Sequence, residues 1–264
     1  MSMSNGQEIP RIIHFIWLNF KERNRDCIVP DKVARIYLSW AQMNPNFTIT
    51  LWNDSMALKF VQDNFSSDIY KCYTTWKSPI YQVDMLKILI LFKIGGFYID
   101  SDADPMGPLE PLVDCKCQLL LSKEGGHINN AFMASGPGQQ FWLNWLKFIM
   151  KAHKNPVVHR AKTAMGVLWC TGPLGLFSLL ITPSTDGLRF LNKKESKEYF
   201  IHNSSKSWVN VGLVFDILLV FFAMVLIALI STGIYFLVKF NKNKKNSQHR
   251  HNSQSSRYNQ LYQY

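Results

Sequence analysis

Asp100, Asp102 and Asp104 alternate with Ser101 and Ala103, directly after the apolar run Phe97-Tyr98-Ile99 and directly before Pro105. In an extended segment alternate side chains share a face, so the spacing predicts three carboxylates pointing one way. Hard anionic oxygens of this kind suit Mg2+ or Mn2+ bridging to phosphate oxygens. A calcium EF-hand would need glycine at the sixth loop position and glutamate at the twelfth, where this chain has Pro105 and Pro111. A dehalogenase-type phosphatase also opens on a strand and D-x-D but requires paired acids downstream, and no two acids are adjacent in this chain. The bland alternative for a lone D-x-D is a solvated acidic turn.

The elements that must position these acids are legible around them. Tyr81 to Lys93 reads as a helix, with Val83, Leu86, Ile90 and Ile94 on one stripe and Asp84 with Lys87 on another face at i, i+3. Gly95-Gly96 ends it, because glycine adopts the left-handed conformation a helix C-cap needs. Phe97-Tyr98-Ile99 follows as a short buried strand that delivers the acids at its carboxyl end, where open α/β sheets bind ligands. Upstream, Ile12 to Trp17 and Thr48 to Trp52 read as strands. Between them Lys32 to Met43 carries Val33, Ile36, Tyr37 and Trp40 at helical spacing, which makes a βαβ unit. Asp54 to Phe65 reads as a helix capped by Asp54 or Asn53. Residues 9 to about 205 thus form an α/β pattern.

The 264 residues are 47% hydrophobic and 18% charged, enough for a real core. The net charge of +11 is concentrated where it argues against nucleic acid. Lys239, Lys242, Lys244, Lys245 and Arg250 follow Ile217 to Val238, a run of 22 uncharged residues long enough to span about 30 Å of hydrocarbon. Basic residues beside such a run face lipid headgroups and set topology. The first sixteen residues lack the apolar core of a signal peptide. The five cysteines lack zinc spacing. Cys115-Lys116-Cys117 reads as two small strand or loop residues, with one disulfide open to a lumenal chain.

The run Tyr81 to Asp104 resembles the DXD-containing sugar-transferring glycosyltransferases, a family that includes fungal α-1,6-mannosyltransferases and mannosyl inositol phosphorylceramide synthases. Asp84, Gly95, Gly96, Tyr98, Asp100 and Asp102 match its pattern at its spacing, while Val83 stands for the usual serine and Lys87 for the usual arginine. Lysine keeps the charge and loses the bidentate fork. Ile9-Pro10-Arg11-Ile12-Ile13-His14 with Trp17, Asn129 to Ser135, Thr171-Gly172-Pro173, and His202 with Ser207-Trp208 extend the likeness from Ile9 to Trp208.

The resemblance implies an α/β, GT-A-like Rossmann-type nucleotide-sugar-binding domain, followed here by one C-terminal transmembrane helix. It implies retaining transfer of a hexose, mannose from GDP-mannose, to inositol phosphorylceramide or a glycoprotein. Asp100 and Asp102 would hold Mn2+ or Mg2+, with His202 as a third ligand or phosphate contact. Asp84 would bind donor hydroxyls and Lys87 would sit near sugar or phosphate. Tyr98, Asn130, Ser207 and Trp208 complete the donor-binding set, and Asn129 joins Asn130 in orienting donor or acceptor. Trp17 would stack on the nucleobase or fill the core. His14 is a strand histidine, not a ligand.

The expected organisation is an N-terminal tail at 1–8, the glycosyltransferase domain at 9–208, the transmembrane segment at 209–238 and a basic, polar, disordered tail at 239–264. Positive-inside charge and sequons at Asn46, Asn53, Asn64 and Asn203 favour a lumenal Golgi or ER enzyme. A 26-residue tail without a signal peptide resembles tail insertion, which would leave the domain cytosolic. The expected partners are nucleotide sugar, a lipid or glycoprotein acceptor, membrane and a regulatory subunit, not nucleic acid. The rival class is a membrane-tethered binding subunit with weak catalysis.

Overall fold

The computed structural model describes residues 8–22, 25–76, 79–115, 117–124, 127–155, 167, 171, 187–203, 221–222, 224–235 and 239. The chain divides into two compact units, residues 1–210 and residues 211–264.

The first unit begins with the expected βαβ. β1 (Ile12–Ile16) pairs in parallel with β2 (Thr48–Trp52), and α1 (Asp31–Met43) connects them with Val33, Ile36 and Trp40 buried. α2 (Asp54–Asn64) starts at Asn53, whose side chain accepts the Met56 amide, and α3 (Ser67–Thr75) follows. α4 (Pro79–Lys93) leads through Gly95 into β3 (Gly96–Ile99). After β4 (Ala103–Pro105) and α5 (Glu110–Val113), β5 (Leu119–Glu124) and β6 (His127–Ser135) form an antiparallel pair. α6 (Gln140–Lys154), β7 (Leu188–Leu191), α7 (Lys193–Tyr199) and β8 (Phe200–His202) complete the described elements. Cys115 and Cys117 are joined as a disulfide, which corrects the reading of both as plain strand or loop residues.

Six strands make one sheet in the order β2-β1-β3-β6-β5-β7. It is mixed, because β6 runs antiparallel to both β3 and β5 while the other pairs are parallel. Strand periodicity assigns the two faces. Tyr98, Met133, Leu119 and Leu121 pack with α2, α3, α4 and α6 on one face. Ile13, Phe15, Phe97, Ile99, Phe132, Ala134 and Leu120 pack on the other with Ile36 and Trp40 of α1 and Leu112 of α5.

α4 differs from its expected amphipathic form. Every residue from Tyr81 to Leu91 is buried, Asp84 and Lys87 included. The helix lies against β3 and β6 and is covered by α2, α3 and α6, so none of its faces meets water along this stretch. The helix-period stripe was the wrong template for a helix buried all round.

The turn from α4 to β3 is sterically fixed. Gly96 has φ +93° and a Cβ there would lie 2.6 Å from the Ile12 carbonyl oxygen; at Gly95, φ +75°, it would lie 2.7 Å from that of Ser135. Only glycine fits both the sign of φ and the space. His14 on β1 locks the turn: its Nε2–H donates to the Gly95 carbonyl at 2.9 Å, while Nδ1 accepts the Trp52 indole N–H at 3.2 Å. That pairing requires the neutral ring, and burial lowers its pKa from 6.5 to about 4.

In the second unit, described residues 221–222 and 224–235 are helical with exposed apolar side chains such as Phe222, Ile227 and Leu229. Among the described residues no helix is long and apolar enough to cross a membrane. The run Ile217 to Val238 lies partly outside them.

The His14 lock has a pH signature. The unfolded imidazole takes a proton below about pH 6.5 and the folded one only near pH 4, so between those values the unfolded chain binds more protons and stability falls with falling pH. In urea unfolding, the stability advantage of the wild type over His14→Gln should shrink by about 3 kcal/mol from pH 7 to pH 4. An advantage independent of pH would remove the neutral-ring assignment.

Candidate active site

Asp100 follows Tyr98 by two residues and inherits its side of the sheet, which is the side α4 covers. Three groups meet there. The Tyr98 hydroxyl donates to Asp100 Oδ1 at 2.6 Å, and the Lys87 ammonium lies 3.1 Å from the same oxygen, 3.2 Å from Asp84 Oδ1 and 4.7 Å from the Tyr98 ring centroid. Asp84 is held further by the Asn130 amide at 3.3 Å and by the Thr171 hydroxyl, which donates to Oδ2 at 2.8 Å. A carboxylate, an ammonium and a second carboxylate thus run in series from α4 to the end of β3.

Burial opposes charge on Lys87, but the carboxylates of Asp100 and Asp84 outweigh it and hold the ammonium above the ordinary lysine value. Asp84 is pushed up by burial, against the pull of Lys87 and Thr171. Tyr98 is pushed well above 10 by burial and by Asp100, so its hydroxyl is a permanent donor.

Beyond Asp100 the chain turns sharply instead of running extended. Ser101 and Asp102 form the turn, closed by the Ala103 amide on the Asp100 carbonyl at 3.1 Å. The expected single face of three carboxylates is therefore corrected: Asp104 sits on β4 and accepts the Asn203 side-chain amide at 2.7 Å. The β4–β8 pairing brings in a different third group. Ala103 lies opposite His202, whose Nε2 is 3.1 Å from Asp102 Oδ1 and 3.8 Å from Asp100 Oδ2. One ligand atom each from Asp100, Asp102 and His202 fall within 4.8 Å of one another. This strand pair is anchored by Trp40, whose indole N–H donates to the Ala103 carbonyl at 2.8 Å.

The donor set fits a divalent cation. Two carboxylates and an imidazole are acceptable to Mn2+ and Mg2+, and Lys87 already matches one of the three nearby carboxylates. Two negative charges are left for a doubly charged ion.

Of the remaining expected site residues, Trp17 stands half-buried just past β1, its amide on the Trp52 carbonyl at 2.9 Å. No hydrogen bond or ring contact joins it to the cluster among the described residues. Asn129 turns its side-chain oxygen to the Ala131 amide at 2.8 Å. Ser207 and Trp208 lie outside the described residues, as do Gly172 and Pro173. Lys87, expected near sugar or phosphate, bridges two carboxylates. Thr171 acquires a contact that its motif alone did not assign, and only its place in Thr171-Gly172-Pro173 signalled it.

A glycosyltransferase sugar-binding region containing the DXD motif matches residues 30–119. Among curated proteins, two mannosyl phosphorylinositol ceramide synthases of Saccharomyces cerevisiae are similar. One is 28% identical over 65% of this chain and 42% of its own length, the other 26% over 76% and 52%. Inositol phosphoceramide mannosyltransferase 1 of Schizosaccharomyces pombe is 25% identical over 76% of this chain and 63% of its own. The chain therefore spans about half the length of the curated relatives it matches. Among solved structures, the UDP-bound glycosyltransferase domain of the YGT toxin aligns with TM-score 0.54 at 8% identity, covering 74% of this chain and 83% of that one. The PaToxG glycosyltransferase aligns at 0.50 and 18%, covering 66% and 69%. The fold is thus the GT-A-like glycosyltransferase fold, and residues 30–119, the stretch similar to the glycosyltransferase sugar-binding region containing the DXD motif, hold α4, β3 and the Asp100-Ser101-Asp102 turn.

Proposed function

We propose that this chain is a metal-dependent, retaining glycosyltransferase that moves a hexose, mannose from GDP-mannose, to a membrane acceptor of the inositol phosphorylceramide type. The observation that carries the reading is the convergence of Asp100, Asp102 and His202 at the carboxyl end of β3, backed by the buried Asp84–Lys87 pair. Similarity to the inositol phosphoceramide mannosyltransferases supports mannose and a sphingolipid acceptor over a glycoprotein one.

Asp100, Asp102 and His202 would hold Mn2+ or Mg2+. The bound cation supplies Lewis-acid neutralisation of the charge that grows on the departing nucleoside diphosphate. Tyr98 and Lys87 fix Asp100 from behind, so its outward oxygen stays aimed without reorganisation. Asp84, with both oxygens already accepting bonds, keeps spare lone pairs for sugar hydroxyls and is oriented by Thr171 and Asn130. Trp17, Ser207 and Trp208 are assigned to the donor's base and phosphates.

The domain occupies 9–208, and the segment 209–238 crosses the membrane with Ile217 to Val238 in the hydrocarbon. The basic tail 239–264 faces the cytosol and the domain faces the Golgi or ER lumen. One observation favours the rival reading of a weakly catalytic binding subunit: Lys87 spends its ammonium on Asp84 and Asp100, where the family's arginine has donors to spare.

Transfer from GDP-mannose should vanish on chelation and return with Mn2+. Asp100→Asn or Asp102→Asn should lower it by more than the roughly 100-fold upper end for an outer-sphere partner, and Lys87→Met by about 10- to 100-fold. Unchanged turnover in either aspartate variant removes the metal assignment. A wild type inert with every donor, but activated by Lys87→Arg, decides for the binding subunit.

Orientation is read at Asn46, the sequon residue in the exposed turn before β2. An endoglycosidase-sensitive mobility shift should be present in cells and lose one step in Asn46→Gln. A chain without any such shift does not have its domain in the lumen.

A further inference from the structure

The pair β4–β8 brings His202 to the Asp100-Ser101-Asp102 turn, yet it cannot hold its own register. Each strand is three residues long, and the two form a sheet of their own. Two short strands alone are marginal in water, so their alignment is imposed by what packs on them. β8 is fixed through Phe200, whose ring stacks on Phe132 of β6 with centroids 4.5 Å apart and 3° between the planes. β4 is fixed from the opposite end of the chain, by α1.

Two side chains one turn apart do this. The Trp40 indole N–H donates to the Ala103 carbonyl at 2.8 Å. Asn44, the C-cap of α1, accepts the Leu109 amide on Oδ1 at 2.7 Å and donates from Nδ2 to the Trp40 carbonyl at 3.1 Å. Trp40, Asn44, Ala103 and Leu109 are all buried. Ala103 is the sensitive point. Its amide closes the turn on the Asp100 carbonyl at 3.1 Å, it stands opposite His202 in the register, and the Asn203 amide meets the Asp102 carbonyl beside it at 3.0 Å. One residue thus bears on the placement of all three candidate ligands. Without the indole its buried carbonyl loses that donor, and β4 gains from shifting toward another. The plain alternative is a core tryptophan whose N–H takes whichever acceptor is near. Trp142 shows that case: it is equally buried, and its indole N–H goes to the Ser135 hydroxyl at 2.7 Å on the α6 side of the sheet.

We infer that Trp40 is a positioning residue for the cation: its hydrogen bond to Ala103 sets the spacing of Asp102 and His202, and with it how tightly the ion is held and whether the imidazole reaches it. This rests on the cation reading of Asp100, Asp102 and His202 above and adds a residue that touches neither ion nor substrate. The imidazole is where a shift is felt first. His202 Nε2 lies 3.1 Å from Asp102 Oδ1 but 3.8 Å from Asp100 Oδ2. Octahedral bonds of about 2.0–2.1 Å put adjacent ligand atoms about 3 Å apart, so His202 is the loosest of the three members.

The test uses Mn2+ alone on the full chain in detergent, so that turnover does not enter. Electron paramagnetic resonance titration gives the affinity. Spin-echo modulation by an imidazole nitrogen on the bound ion, absent in His202→Ala, reports whether His202 ligates. Trp40→Phe should weaken Mn2+ binding by about 10- to 100-fold, the range for an outer-sphere partner, and diminish the nitrogen modulation. Benzothienylalanine in place of Trp40 keeps the bicyclic ring and lacks the N–H; it should reproduce both effects, and it decides the matter if the phenylalanine variant does not fold. Trp142→Phe, which removes an equally buried indole N–H elsewhere, should keep wild-type affinity and modulation. Wild-type behaviour of the benzothienyl variant would overturn the inference, because packing and not the hydrogen bond would then be what Trp40 supplies. Equal weakening in Trp142→Phe overturns it as well, by making the effect one of general stability. Mn2+ bound by the wild type without nitrogen modulation takes His202 out of the donor set and the inference with it, while leaving the two aspartates. A wild type that binds no Mn2+ removes the cation reading itself.

Discussion

A lysine ammonium cannot be taken out of water without carboxylates to meet it, and Lys87, 4% exposed, is met by two. Asp84 is its neighbour on α4, whereas Asp100 arrives from the end of β3. The pair that satisfies the buried charge therefore also joins helix to strand at the one place where the acids leave the sheet. Removing one partner of such a pair costs about 3–5 kcal/mol, because the other is left charged and dry. Tyr98, Asn130 and Thr171 use what remains of the two carboxylates' inner oxygens, from β3, from β6 and from a distant part of the chain. A buried ion pair is weak evidence for stability but good evidence for register, and here the register is that of Asp100.

The same demand explains the turn before β3. For Lys87 to reach Asp100, α4 must stop within a few residues and reverse against the sheet. Gly95 and Gly96 supply the two positive-φ residues, packed so tightly on Ile12 and Ser135 that no Cβ fits. His14 closes the arrangement from β1 by holding the Gly95 carbonyl, a bond whose cost is an imidazole kept neutral. β1, the turn and the acids are consequently one mechanical unit rather than three motifs in sequence.

Local rules made the βαβ unit, the helix stop and the strand before the acids legible, because each depends on neighbours in sequence. Val33, Ile36 and Trp40 had the helical spacing and are the buried residues of α1. What was not legible depended on tertiary context. α4 reads as amphipathic only if one face meets water, and its polar face instead closes over β3. Asp104 alternates with Asp100 and Asp102 on paper, yet the Asp100–Ala103 hydrogen bond folds the segment into a turn and Asn203 claims Asp104. His202 joins the acids through the pairing of β4 with β8, about a hundred residues apart in sequence, a long-range contact that the family likeness suggested and spacing did not. The antiparallel sense of β6 is likewise fixed by its neighbours, not by its own sequence.

Charge orders the proposed site. Asp84, Asp100 and Asp102 set against Lys87 leave about two negative charges beside His202. Placing a divalent ion among the acids cancels this field at short range, where a low local dielectric makes it strongest. His202 sits on the separate strand pair β4–β8, anchored by Trp40, rather than on the central sheet. The rigid part of the fold therefore holds the charge that must not move, Lys87 between Asp84 and Asp100. The third member of the candidate donor set, His202, is placed on the smaller strand pair outside it.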